Sequence, residues 1–140
     1  MYKRLSLLAA AVVIVAGATA TQQPAAAVDC IYRCASDEIQ FLPGQSLNIK
    51  IINHTRGRVN LERVLDFNPY VLLPNREINL NVEVGQGPDL SMVFWDENYL
   101  PVKVMLHRPE VNTLQIELLP SGSFSDRAVH LVNDGRVLIY

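Results

Sequence analysis

Several kinds of chemistry are excluded by what this sequence has little of. It has two cysteines, one tryptophan, three histidines and 7 glycines in 140 residues, and only 19% of its residues are charged. Twelve basic residues against fourteen acidic ones leave a formal charge of −2. Nucleic-acid binding would need a clustered basic face, and none is present. None of the glycines forms a phosphate-cradling loop or a dinucleotide fingerprint. The length leaves no room for two full domains. A 49% hydrophobic share is too high for a disordered chain.

Part of that hydrophobicity belongs to the first twenty residues, MYKRLSLLAAAVVIVAGATA. Lys3 and Arg4 head an apolar run from Leu5 to Ala16, and small residues follow. That pattern predicts a secretory signal peptide over 1–27, with cleavage after Ala20 or Ala27. The apolar run is shorter than the roughly 20 residues of a spanning helix. Asp29 before Cys30, where a small residue is expected, argues against a lipid anchor on that cysteine. Residues 28–140 then form a mature chain of 113 residues with a net charge of −4, and no further hydrophobic run in them is long enough for stable membrane insertion. The expected location is exported, in a periplasm, an extracellular space or another exported lumen.

Both cysteines, Cys30 and Cys34, fall in a short segment, 28–37, ahead of the domain. In an oxidising compartment the expected state is a disulfide between them. In an extended strand their Cα atoms would lie about 13 Å apart, so the segment must bend to close the bond. A redox role would need Cys-x-x-Cys at a helix start, which is absent.

From residue 38 onward apolar and polar residues alternate with period two, the strand signature. Leu47, Ile49 and Ile51 alternate with Asn48 and Lys50. Ile78, Leu80, Val82 and Val84 alternate with Asn79, Asn81 and Glu83. Val102, Val104 and Leu106 face one way, as do Leu114, Ile116 and Leu118. Weaker runs cover 38–42, 58–64, 90–95, 127–132 and 137–140. Pro43-Gly44, Thr55-Arg56-Gly57, Gly85–Pro88 and Ser121–Ser123 separate them as turns, and Asp134-Gly135 predicts a two-residue hairpin. The stretch 65–75, with its two prolines, fits no period and reads as a crossover. The expectation is an all-β, single antiparallel β-sandwich of about eight or nine short strands over 38–140. The runs are too short for an outer-membrane barrel, which needs about 9–11 residues per strand. FLPGQSLNIKIINHT (Phe41–Thr55) resembles the second-strand region of bacterial Ig-like and cupredoxin-like sandwiches, with a Pro-Gly turn, an alternating strand, then Asn and a small polar residue. The resemblance implies the fold class and carries no functional residues.

A blue-copper site would need a cysteine among the late loops beside His107 or His130, and there is none. Met105 and His107 stand two apart on one strand face, with Met92, His54 and His130 as possible partners, so a periplasmic copper carrier is the alternative reading. No metal or other cofactor is favoured. A small hydrolase comes last: Ser91, Ser121, Ser123 and Ser125 sit in no nucleophile elbow, and the acidic pairs Asp37/Glu38 and Asp96/Glu97 point to opposite faces of a strand. With no convergent catalytic set, the chain reads as a non-catalytic binding or structural module for an envelope protein partner. The side chains proposed for that contact are His54, Arg56 and Arg58 on a basic loop, and Trp95 and Tyr99 on an aromatic segment. Asn53-His54-Thr55 is also a glycosylation sequon.

Overall fold

The computed structural model describes residues 39–66 and 68–140. The expected signal peptide and the Cys30–Cys34 disulfide lie outside the described residues. The described residues form nine strands: β1 Ser46–Asn53, β2 Val59–Arg63, β3 Tyr70–Leu72, β4 Glu77–Glu83, β5 Leu90–Asp96, β6 Val102–Glu110, β7 Thr113–Pro120, β8 Ala128–Leu131 and β9 Val137–Ile139. They make two sheets, ordered β4-β1-β7-β6 and β3-β2-β5-β8-β9. The fold is all-β and sandwich-like. No helix among the described residues is long and apolar enough to cross a membrane.

The alternation places the core. Leu47, Ile49 and Ile51 of β1, Val104 and Leu106 of β6, and Leu114, Ile116 and Leu118 of β7 turn inward from the first sheet. They meet Leu61 of β2, Met92 and Phe94 of β5, Val129 and Leu131 of β8 and Val137 of β9. Each such side chain contributes about 1.5–3 kcal/mol by leaving water. Phe41, ahead of β1, is fully buried among them.

Three local expectations are corrected. The sheets are antiparallel except for one pair: β1 runs parallel to β7, with Ile49 opposite Leu114 and Ile51 opposite Ile116. A parallel pair needs a long crossover, and here the intervening strands supply it. The 65–75 stretch holds a strand, β3, paired with β2 through Val59–Leu72 and Leu61–Tyr70. Of the 38–42 run, residues 39–42 are described, and among the described residues they make one bridge, from Gln40 to Arg136, and no strand.

The Asp134-Gly135 turn also differs in type. Gly135 has φ +89° while Asp134 is not left-handed. Its N–H donates to the Val132 carbonyl, and the Val132 N–H donates to Arg136, so three residues form the loop. A Cβ at Gly135 would stand 1.7 Å from the Phe41 carbonyl oxygen. The close approach of the 39–41 segment therefore requires glycine there.

Candidate functional site

One end of the sandwich is built by two polar residues that occupy core-facing positions. Asn53 closes β1 at the parity of Leu47, Ile49 and Ile51, and is 0% exposed. Its Nδ2 donates to the carbonyls of Gly57 and Leu72, both at 2.9 Å. Its Oδ1 accepts from the Thr55 N–H at 2.9 Å and from the Thr55 hydroxyl at 2.7 Å. All the amide's polar atoms are used, and the 54–58 loop is wound around it.

Asp96 closes β5 in the same way, 2% exposed at the parity of Met92 and Phe94. Its Oδ1 accepts from the N–H of Asn98 at 2.8 Å and of Leu100 at 3.3 Å. The Tyr99 N–H donates to the Asp96 carbonyl, and Tyr99 itself has φ +58°. The two loops are joined directly. The Glu97 N–H donates to the Arg58 carbonyl at 2.9 Å, and a Cβ at Gly57 would lie 2.3 Å from Asp96 Oδ2. The backbone of Gly57 therefore rests on the buried carboxylate.

This frame leaves Tyr99 84% and Leu100 60% exposed. On one side of Leu100, a cavity of about 370 Å³ is lined by Arg56, Gly57, Pro101, Val102 and Pro120. On the other side, one of about 330 Å³ is lined by Phe94, Trp95, Tyr99, Ser125 and Arg127. Trp95 is half-buried on the outer face of its sheet. Arg58 approaches Glu97 at 3.9 Å, an exposed pair of little energetic weight. Arg56 and Arg127 have no ion-pair partner among the described residues.

Of the residues singled out from the sequence, Arg56, Arg58, Trp95 and Tyr99 meet at this end. His54 does not join them; it turns onto the outer face of the other sheet, its Nε2 3.9 Å from Glu117 Oε2. Leu100, which follows Tyr99 in the aromatic segment, and Arg127 are not among the side chains proposed for the contact from sequence. Asp96-x-Asn98 is an Asx-turn signal that would have exposed Leu100. Arg127 is brought in by the β5–β8 pairing, which is non-local.

Of the remaining candidate residues, His54 and His107 converge on Glu117 and the others are dispersed. Met105 and His107 share the outer face of β6, and His107 Nε2 lies 3.8 Å from the same Glu117 oxygen that His54 approaches. Met92 is buried in the core, and His130 belongs to the other sheet. Among the described residues no group of three or more His, Cys, Asp or Glu is arranged to hold a metal ion. Ser91 Oγ and His130 Nδ1 are 2.9 Å apart as a cross-strand pair, with the Tyr140 ring edge-on to the imidazole. No carboxylate among the described residues pairs with His130 to orient it as a base.

Ser125 and Asp126 close the first part of the β6 edge, at Val102 and Val104. Ser125 Oγ accepts from the Val102 N–H at 3.1 Å, and Asp126 Oδ2 accepts from the Val104 N–H at 2.9 Å. The sequon asparagine is the buried Asn53, so its Nδ2 is inaccessible to a glycosylating enzyme once the domain has folded. Compared with known families and curated proteins, the chain matches no family model and no individual sequence.

Proposed function

We propose that this chain is an exported, non-catalytic β-sandwich module that contacts a protein partner in the cell envelope through the end formed by residues 54–58 and 95–101. The observation that carries the reading is Tyr99. A bulky, exposed aromatic is held in the left-handed region, where glycine or asparagine would cost less. Asp96 and Asn53 keep the surrounding backbone fixed, so the aromatic and its neighbour Leu100 are presented to solvent with little entropy left to lose on contact. Trp95, Arg56 and Arg127 flank them with the residue types that dominate interface energetics.

A photoreactive group placed at Tyr99 in the exporting cell should crosslink to one discrete protein, and the same group at Glu110, a position away from the two joined loops, should not. Arg56→Ala and Trp95→Ala should each reduce the product at least fivefold. If the arginines act by charge, raising the salt concentration should weaken the complex in vitro as their replacement does. Equal crosslinking from both positions, or none from Tyr99, would refute the reading.

A further inference from the structure

A sandwich with open sheets has four edge strands, and here they are treated differently. β3 and β9 have three residues each, and Gln40 and Phe41 bond to the Gly135–Arg136 approach to β9. Ser125 and Asp126 close β6 at Val102 and Val104. β4 is different: seven residues long, it pairs with β1 on one side, and among the described residues nothing pairs with its other side.

The register fixes which of its groups are open. The Val84 N–H bonds to Gln45 and the Arg76 carbonyl accepts from Asn53, with unbroken one-to-one pairing between. By alternation Ile78, Leu80 and Val82 serve the β1 ladder, and Glu77, Asn79, Asn81 and Glu83 direct their N–H groups outward. Glu83's carbonyl is used by the Gln86 N–H; those of Glu77, Asn79 and Asn81 are open. The inward side chains Ile78, Leu80 and Val82 are only half-buried. At the C-terminal end of β4 a cavity of about 240 Å³ with a mixed lining, Val82, Val84 and Leu131 beside Asp66, Asn81 and Asp89, opens between the two sheets.

We propose that β4 is the acceptor for an extended segment of a partner protein, one that alternates basic with apolar residues and adds a strand to the β4-β1-β7-β6 sheet. Main-chain hydrogen bonds would supply affinity, and the half-buried row Ile78, Leu80 and Val82 an apolar surface for the partner's inward side chains. The charges select the partner: Glu83 has no ion-pair partner among the described residues, and Glu77 shares its carboxylate with Lys50 of β1 at 2.8 Å. In a full-length antiparallel pairing of β4 with a second copy of itself, Glu77 would face Glu83 and Glu83 would face Glu77, like charges directly opposite. A strand with lysines or arginines at those positions meets them instead. Asn79 and Asn81, between the glutamates, are neutral and keep that face polar. This surface is separate from the Tyr99 end and does not depend on it.

The test uses the full exported chain and a capped heptapeptide alternating four lysines with three valines, with its glutamate counterpart as control. Amide exchange is followed residue by residue. With the lysine peptide at ten times its Kd, exchange at the open amides of Asn79, Asn81 and Glu83 should slow about tenfold, and the ladder amide of Leu80, which exchanges only when β4 opens, should slow by no more than that factor. The glutamate peptide should leave all four unchanged. Asn81→Pro removes an outward N–H without touching the β1 ladder and should abolish the slowing; unchanged protection at Leu80 checks that the variant is folded. The double variant Glu77→Lys with Glu83→Lys should reverse the preference between the two peptides. Unchanged exchange at Asn79 and Asn81, or equal binding of both peptides, would overturn the proposal. So would outward amides already slow in the isolated protein, which would mean the chain covers its own edge, or slowing that follows protein concentration alone, which would assign the edge to a second copy.

Discussion

Asn53 is the residue on which the presenting end of this domain depends, and its removal gives the sharpest energetic test. Asn53→Ala deletes four hydrogen bonds in one step. The Thr55 hydroxyl keeps a second partner in the Gly57 carbonyl at 3.1 Å, so its loss is partial. The Thr55 N–H and the Leu72 carbonyl lose their Asn53 partner in a site closed to water, at about 1–3 kcal/mol for each group left unmade. A total near 3–4 kcal/mol is a large share of the roughly 5–15 kcal/mol that stabilises a domain. It should lower Tm by about 15 °C. Asn53→Asp keeps the shape and tests the direction of the bonds. Its carboxylate can accept from Thr55 but turns an oxygen toward the carbonyls of Gly57 and Leu72, which repel it. Burial and those carbonyls both push the new carboxyl's folded-state pKa above its unfolded value. A raised folded pKa means that the stability is present below the unfolded value and is lost as pH rises through the folded one. Asn53→Asp should therefore be closer to the parent protein at pH 4 than at pH 7, with Asn53→Ala showing no such recovery. Urea unfolding at both pH values measures this, with constant m-values required. Lys50→Ala, which removes an exposed 2.8 Å pair with Glu77, serves as the surface control and should cost under about 0.5 kcal/mol. A loss below about 1 kcal/mol for Asn53→Ala, or a stability gap between Asn53→Asp and the parent protein that is no smaller at pH 4 than at pH 7, would refute the reasoning.

Gly135→Ala and Gly87→Ala compare two glycines with almost the same left-handed φ, +89° and +90°. Only Gly135 has a neighbour in the way, so Gly87→Ala should cost about 1 kcal/mol and Gly135→Ala clearly more, read by urea unfolding; equal losses would show that the Phe41 contact is not what requires glycine. Intact-mass analysis of the exported protein should find the chain starting at Thr21 or Val28, and reduction should add two hydrogen atoms (two electrons and two protons) as Cys30 and Cys34 separate. Free thiols or a full-length chain in the membrane pellet would count against that reading. Copper and zinc should bind weakly and leave Tm unchanged, because His54 and His107 meet Glu117 only at ion-pair distance and Met92 is buried in the core. Tight stoichiometric copper binding that is lost in Met105→Leu and His107→Ala would promote the carrier reading instead.

The strands were legible where apolar and polar residues alternate over six or more residues, with the inward face buried in β1, β6 and β7 and half-buried in β4. β3 was not, for a physical reason: its three residues lie between Pro69 and Pro74, and Tyr70 and Val71 are both exposed, so no alternation exists to be seen. The parallel pairing of β1 with β7 joins segments about sixty residues apart in the chain. Nothing local in either strand records its partner, since the same inward row of Leu and Ile would satisfy an antiparallel neighbour equally well.

The end proposed to contact a partner was half legible. Arg56, Arg58, Trp95 and Tyr99 stood out by residue type, and three-dimensional pairing added Leu100 and Arg127. The stronger signal lay elsewhere in the same sequence and concerns parity. Along β1 the inward positions run Leu47, Ile49, Ile51, then Asn53; along β5 they run Met92, Phe94, then Asp96. A polar residue at a core-facing position ending a strand must find partners in the adjoining loop, because burying it unpaired costs more than the strand's last apolar contact would return. Each such residue therefore predicts a loop held by side-chain bonds. The pairing Val59–Asp96 brings the loop after β1 beside the loop after β5, so the two parity breaks fall at one end of the sandwich. The rigidity that presents Tyr99 is thus written in Asn53 and Asp96, two residues that need never touch a partner.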